Sequence, residues 1–357
     1  MDKSRVSLVQ GHSRRDNIAA ALEAISARVS LEGVRRVLVK PNFVSTSDQA
    51  ASTHVDAVRA VLDFIRARYD GPIVVAEGAA ISPTFDGFRN FGYEALVDEY
   101  AAGAGVELLD LNAEETVPVQ VYDRRLRPLA VRLARTAAEA GVYRISVGPP
   151  KTHDCVIVTL AIKNMVMGAL VNPKAVRGDG GMPGGARRVA HLIPRSVWRS
   201  RLAEWAKGAL LGRQGGSSKM AMHQGFPAMN LNLALVAALV WPHLAVIDGW
   251  QGREGNGPGA GDPVDWRVAL AGTDPLAVDV LTAHLMGFEP GRVGYLQYCA
   301  QMGLGVGAPD QIDVVGNVTP GQARRSFKPH PTYQRQLQWR LEGAGWYLER
   351  ARLQTAV

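Results

Sequence analysis

Apolar positions along this chain gather in two kinds of stretch. Short dense runs bounded by Gly, Pro or polar residues read as buried strands: VRRVLVK (34–40), GPIVVAEGAA (71–80), VELLDL (106–111), VYRISV (142–147) and LAVID (244–248). Between them lie stretches with helical spacing: IAAALEAISARV (18–29) with Asp16 as N-cap, VDAVRAVLDFIRARY (55–69) opened by His54, EALVDEYAA (94–102), RLARTAAEA (132–140) closed by Gly141, and AMNLNLALVAALV (228–240) carrying Asn230 and Asn232. Residues 112–131 predict a hairpin through Asp123-Arg124, and 267–287 reads as strand, sharp turn, helix. Strand–helix alternation of this kind predicts an α/β protein of mostly parallel sheet flanked by helices, extending to two α/β lobes with a site between them.

Two regions break the rhythm and set the expected organisation. Residues 1–174 form an N-terminal α/β lobe, 175–222 a basic insertion, 223–317 a second α/β portion with a Gly-rich loop, and 318–357 a basic helical tail. Within the insertion, SVWRSRLAEWAKGALL (196–211) predicts an amphipathic helix suited to a lid or an oligomer contact. The net charge of +7 resides in these appendages: 187–219 has eight Lys/Arg against Glu204, and 318–357 has seven against Glu342 and Glu349. The rest of the chain is acidic, so a protein-wide nucleic-acid surface is not expected.

Composition narrows the class further. With 357 residues, 47% hydrophobic and 20% charged, the chain has the make-up of a water-soluble globular protein. The opening MDKSRVSLVQGHSRRD lacks an apolar core and no uncharged apolar run reaches membrane-spanning length, so no signal peptide or membrane span is expected and the cytoplasm is the expected location. Only Cys155 and Cys299 are present, which excludes a disulfide framework and an iron–sulfur cluster held by this chain alone. Each reads as a small buried apolar residue.

The chemistry collects where strands end. Lys40-Pro41-Asn42 and Glu77-Gly78 close the first two strands; Gly148-Pro149-Pro150 stops the fourth and is followed by Lys151, Thr152 and His153, then Lys163-Asn164 and Lys174. His223, Asp248, Glu254 and Asp274 extend the set. In an open parallel sheet such residues converge at the carboxyl edge of the strands. Lysines and histidines in apolar surroundings suit a small anionic substrate: Lys151, His153 and Lys163 as reactive centre, His54 and His223 as further proton carriers, and Lys40, Asn42, Asn164, Lys174 and Glu77 as binding residues. Asp248, Glu254 and Asp274 are the expected ligands should a divalent metal bind, with His153 and His223 as further donors. His12, His191, His243, His284 and His330 read as structural. No G-x-x-x-x-G-K-[ST], H-E-x-x-H or dinucleotide-type Gly-rich turn is present. The loop GREGNGPGAG (252–261) reads as a phosphate cradle, an active-site loop carrying Glu254, or a turn-rich surface.

These residues, in this order, resemble the domain-of-unknown-function 362 family. The resemblance runs from Val37-Leu38-Val39-Lys40-Pro41-Asn42 through His54, Glu77-Gly78, Gly92-Tyr93, Lys151-Thr152-His153, Ala161-Ile162-Lys163-Asn164, Gly168, Lys174, His223 and Asn232. It continues through Val246-Ile247-Asp248-Gly249, Glu254-Gly255-Asn256-Gly257-Pro258, Ala271-Gly272-Thr273-Asp274-Pro275 and Ala277-Val278-Asp279. It implies an α/β fold; many relatives append ferredoxin-like cysteine motifs, which this sequence lacks. A fainter similarity, to the nickel-dependent lactate racemase family, implies proton or hydride movement beside a carboxylate. Three readings follow. The first is an enzyme performing isomerisation, epimerisation or elimination on a small carboxylate or phosphate. The second is a metal- or metallocofactor-dependent oxidoreductase served by a separate iron–sulfur partner, an acidic protein docked on the basic segment. The third is a non-catalytic ligand- or cofactor-binding protein. Two aromatic, basic helices further suggest a homo-oligomer.

Overall fold

The computed structural model describes residues 3–176 and 217–355. Ten of its twelve strands join one mixed, mostly parallel sheet. Its spine follows the apolar runs: β2 (Arg36–Lys40), β3 (Ile73–Glu77), β4 (Val106–Asp110), β7 (Val142–Gly148) and the start of β10 (Leu244–Glu254). These lie parallel in the order β10-β7-β2-β3-β4. Beyond β10 come β11 (Asp262–Gly272), β1 (Ser4–Gln10) and β12 (Ile312–Gly316). Here β11 is antiparallel to both neighbours, and β1 is parallel to β12.

Strands from both expected lobes therefore share a single sheet, and the site lies along one sheet edge rather than in a cleft between lobes. Register shows why: Leu244 pairs with Ile145 and Val6 with Val314, so neither half closes a sheet without the other. The predicted hairpin forms as β5 (Thr116–Tyr122) and β6 (Pro128–Ala134). The helix expected over 132–140 shrinks to Arg135–Ala138, because Val131 and Leu133 are already paired in β6. The Gly-rich stretch differs as well. β10 runs through Gly252 to Glu254, which pairs with Asp262, so only 255–261 form a turn.

Side chains alternate across the sheet and fill two apolar layers. Val37, Val39, Leu244 and Val246 pack under α1 (Arg14–Glu23) and α2 (Val55–Arg66). Leu38, Ala245 and Ile247 pack under α3 (Ala161–Ala169), α4 (Phe226–Ala237), α5 (Pro275–Leu285) and α6 (Gly294–Gln301). α1 starts before the expected point because the Ser13 hydroxyl accepts the Asp16 amide, displacing Asp16 as cap. The tail docks on its own chain: Phe327, Gln336, Trp339 and Leu348 are buried, and α7 (Ala344–Thr355) follows the break at Gly343. The basic helix expected over 196–211 lies outside the described residues. No helix among the described residues is long and apolar enough to cross a membrane.

Candidate active site at the carboxyl edge

Five of the predicted residues form one closed polar network. The Lys40 side chain, fully buried at the end of β2, donates to Pro41 O, Glu77 Oε2 and Asn164 Oδ1, each at 2.8 Å. An ammonium has three donors, so all three are used. Glu77 also accepts the Phe43 amide at 3.2 Å and the Gly78 amide at 2.8 Å. Asn164 Oδ1 accepts Asn42 Nδ2 at 3.0 Å, while its Nδ2 reaches Ser146 Oγ at 2.9 Å. Lys151 Nζ donates to Asn42 Oδ1 and to Ala51 O. Burial lowers the pKa of Lys40 against the pull of Glu77, and burial with Lys163 and other cations holds Lys151 well below the ordinary lysine value.

Helix α3, which carries Lys163 and Asn164, is fixed from a distance at both ends. Its N-cap, Leu160, offers no side-chain acceptor. The buried Asp279 of α5 supplies one, accepting the Ala161 and Ile162 amides at 2.8 and 3.0 Å. Burial pushes that carboxyl up to about 8 against these two bonds. At the other end Lys219 donates to Met167 O at 2.7 Å, to Gly168 O and to Leu170 O. An acceptor at the N-terminus and a donor at the C-terminus satisfy backbone groups that the helix itself leaves unpaired. Gly168 is required here, since a Cβ would lie 1.7 Å from Lys40 Cε.

The remaining predicted centre lies beside this network and is differently built. Lys163 is 5% exposed, and its ammonium makes no hydrogen bond to another described residue. Burial brings it down to about 8, opposed by Asp154 and Cys155. His153, buried, has Nδ1 3.0 Å from both the Cys155 amide and Asp154 Oδ1. Burial and then Lys163 hold it well below the ordinary histidine value. His223 Nδ1 lies 3.0 Å from Lys219 O, which places its proton on Nδ1 and leaves Nε2 as a base. Burial lowers its pKa, and Asp154 and Lys163 act on it in opposite senses. Asp154 is pushed up by burial but carried to about 2 by His153, His223, Cys155 and His330.

The other predicted residues are placed elsewhere. His54 caps α2, its Nδ1 accepting the Asp56 amide at 3.2 Å, and lies on the α1/α2 side with Asp248, which pairs with Arg14 at 3.1 Å. Asp274 caps α5 and also accepts Ser4 Oγ and the Val306 amide. Glu254 accepts the Lys328 amide at 2.8 Å. The three acids expected as metal ligands therefore serve three separate structural tasks. Lys174 is half-buried in the short helix Pro173–Val176. The glycine turn packs on β8 (Lys151–His153), where Thr152 Oγ1 donates to Gly255 O at 3.0 Å. Asn230 and Asn232 bond Tyr295 and Tyr122 backbone.

Four participants were missed. Asp279 and Lys219 fix α3; Gln336 and His330 come from the tail. Gln336 Nε2 donates to His153 O at 2.8 Å and its Oε1 accepts the Ile157 amide, bracketing the 153–157 turn. His330, read from sequence as structural, acts electrostatically on His153 and Asp154.

Comparison with known proteins bears on the central part of this arrangement. A family model described as "Domain of unknown function (DUF362)" matches residues 37–284, more than two thirds of the chain. The matched span holds Lys40 through Asp279 and leaves out Gln336 and His330. No curated protein matches the chain.

Proposed function

The chain belongs to the DUF362 family, and from that premise we propose that it is an enzyme acting on a small carboxylate- or phosphate-bearing metabolite by lysine–histidine acid–base chemistry. One observation carries the reading: Lys163 is a buried lysine whose ammonium makes no hydrogen bond to another described residue, on a helix fixed at both ends. Its nitrogen is not among the sealed, unpartnered atoms of the described residues, so it stays open to an arriving ligand. An anionic oxygen of a ligand would supply the missing acceptor.

The neighbours fit a proton transfer next to that anion. His223, with Nδ1–H committed to Lys219 O, presents Nε2 to take a proton from carbon or oxygen. Lys163 stabilises the negative charge that develops, in a site where few waters compete. Isomerisation, epimerisation and elimination beside a carboxylate all begin this way. The Lys40–Glu77–Asn164 network holds the platform rather than the substrate, since its donors already have acceptors.

A thermal-shift screen of small carboxylates and phosphates tests the reading, run on wild type and Lys163→Met. At least one ligand should raise the melting temperature of wild type and leave Lys163→Met unmoved. That ligand should then take up solvent deuterium in the presence of wild type only. Equal stabilisation or equal exchange in Lys163→Met would overturn the assignment.

A further inference from the structure

His153, Asp154 and Cys155 are consecutive, yet their donor atoms do not splay apart: a ring nitrogen, a carboxylate oxygen and the thiol sulfur all lie within 4.8 Å of one another. Ligands of a zinc-like ion sit about 2.0–2.3 Å from it, so donors around one ion are spaced up to about 4.6 Å apart. The cluster is already near that size.

One contact within the turn, between His153 Nδ1 and Asp154, competes for the same nitrogen with the Cys155 amide. Nδ1 of His153 faces the Cys155 amide and Asp154 Oδ1, both at 3.0 Å. If Nδ1 accepts from the amide it holds no proton for Asp154, and two lone pairs face each other. If it carries the proton, the amide loses its acceptor. A cation bound by the carboxylate turns that contact from repulsion to attraction.

The backbone is held as a preformed site requires. Gln336 bonds both His153 O and the Ile157 amide, and Thr332 Oγ1 donates to Asp154 O at 2.8 Å. Ile157 is kept at φ +68°, a costly conformation for a β-branched residue. Asp154 is half-exposed, which gives an ion a route in, while His153 is buried. His223 acts electrostatically on both His153 and Asp154.

We propose that His153, Asp154 and Cys155 form a three-ligand binding site for a thiophilic divalent transition metal of the zinc class, leaving a position for a solvent or exogenous ligand. Nitrogen, oxygen and sulfur donors together select zinc, cobalt or nickel over magnesium or calcium. Carboxylate and thiolate supply two negative charges, offsetting a divalent ion beside Lys163. The site adjoins Lys163 of the acid–base reading but does not depend on that reading, since metal binding needs no anionic substrate.

The test is a cobalt titration of the full-length protein, stripped with chelator and exchanged into chelator-free buffer. Wild type should take up one equivalent of Co2+ with a thiolate charge-transfer absorption, displaced by Zn2+. Cys155→Ser should lose that absorption and, like His153→Gln, bind at least tenfold more weakly, while Cys299→Ala retains both. Circular dichroism and melting curves establish that each variant is folded. Absence of saturable cobalt binding in wild type, or an unchanged absorption in Cys155→Ser, would overturn the site. Cobalt binding without any carboxylate effect would keep the metal site and remove the acid–base reading; the reverse pattern would do the opposite.

Discussion

Lys40 and Lys163 are both buried lysines at the same sheet edge, and they sit in opposite chemical situations. Lys40 has three acceptors at 2.8 Å for its three protons, one of them the carboxylate of Glu77. Lys163, by contrast, makes no hydrogen bond to another described residue. Burial is therefore not what marks a reactive group, because both have it. What separates them is whether the protein itself completes the hydrogen bonding: a closed network fixes geometry, and an open one is completed by something that arrives.

The comparison breaks most directly at Lys40. Lys40→Met leaves Glu77 as an uncompensated buried carboxylate, and the loss should be about 3–5 kcal/mol in urea unfolding. Adding Glu77→Gln to that variant should recover part of it, since the stranded charge is removed. A cost below about 1 kcal/mol for the single variant would mean that the network does not hold the edge.

Lys163→Met should move stability the other way. The folded pKa of Lys163, about 8, lies below its ordinary 10.5, so the folded protein binds this proton less well than the unfolded chain. The charge is a liability below about pH 8, and the liability fades as pH rises from about 8 to 10.5. Metal-free Lys163→Met should accordingly gain about 1–3 kcal/mol near pH 7, with the gain shrinking at alkaline pH. A loss of stability near pH 7 would show that Lys163 is a structural residue like Lys40.

Sequence made the open and closed residues visible together without distinguishing them. Dense apolar runs ending in Lys40-Pro41-Asn42, in Glu77-Gly78 and before Lys151 marked the parallel spine and its carboxyl edge, because strand burial leaves a local signature. Partners distant along the chain leave none. Nothing in SRVSLVQ announces a strand between β11 and β12, and nothing near Leu160 announces Asp279 as the acceptor for α3. Gln336 reaches His153 across 183 positions. Asp154 and Cys155 stood beside His153, but an isolated acid and cysteine look ordinary until a turn folds their donor atoms together.

The smallest expected effect concerns His54, which sequence grouped with the proton carriers. It lies with Arg14 and Asp248 on the α1/α2 side, whereas Lys163 and His223 belong to the opposite layer. Its ring nitrogen accepts the Asp56 amide as the N-cap of α2. His54→Ala should thus cost about 1 kcal/mol, the ordinary loss of a cap, and His54→Asn should restore most of it. Neither variant should change cobalt uptake or the stabilisation of wild type by carboxylates. If His54→Ala abolished the carboxylate effect while keeping its fold, the site would extend through the sheet edge to both layers, and the Arg14–Asp248 pair would become part of it.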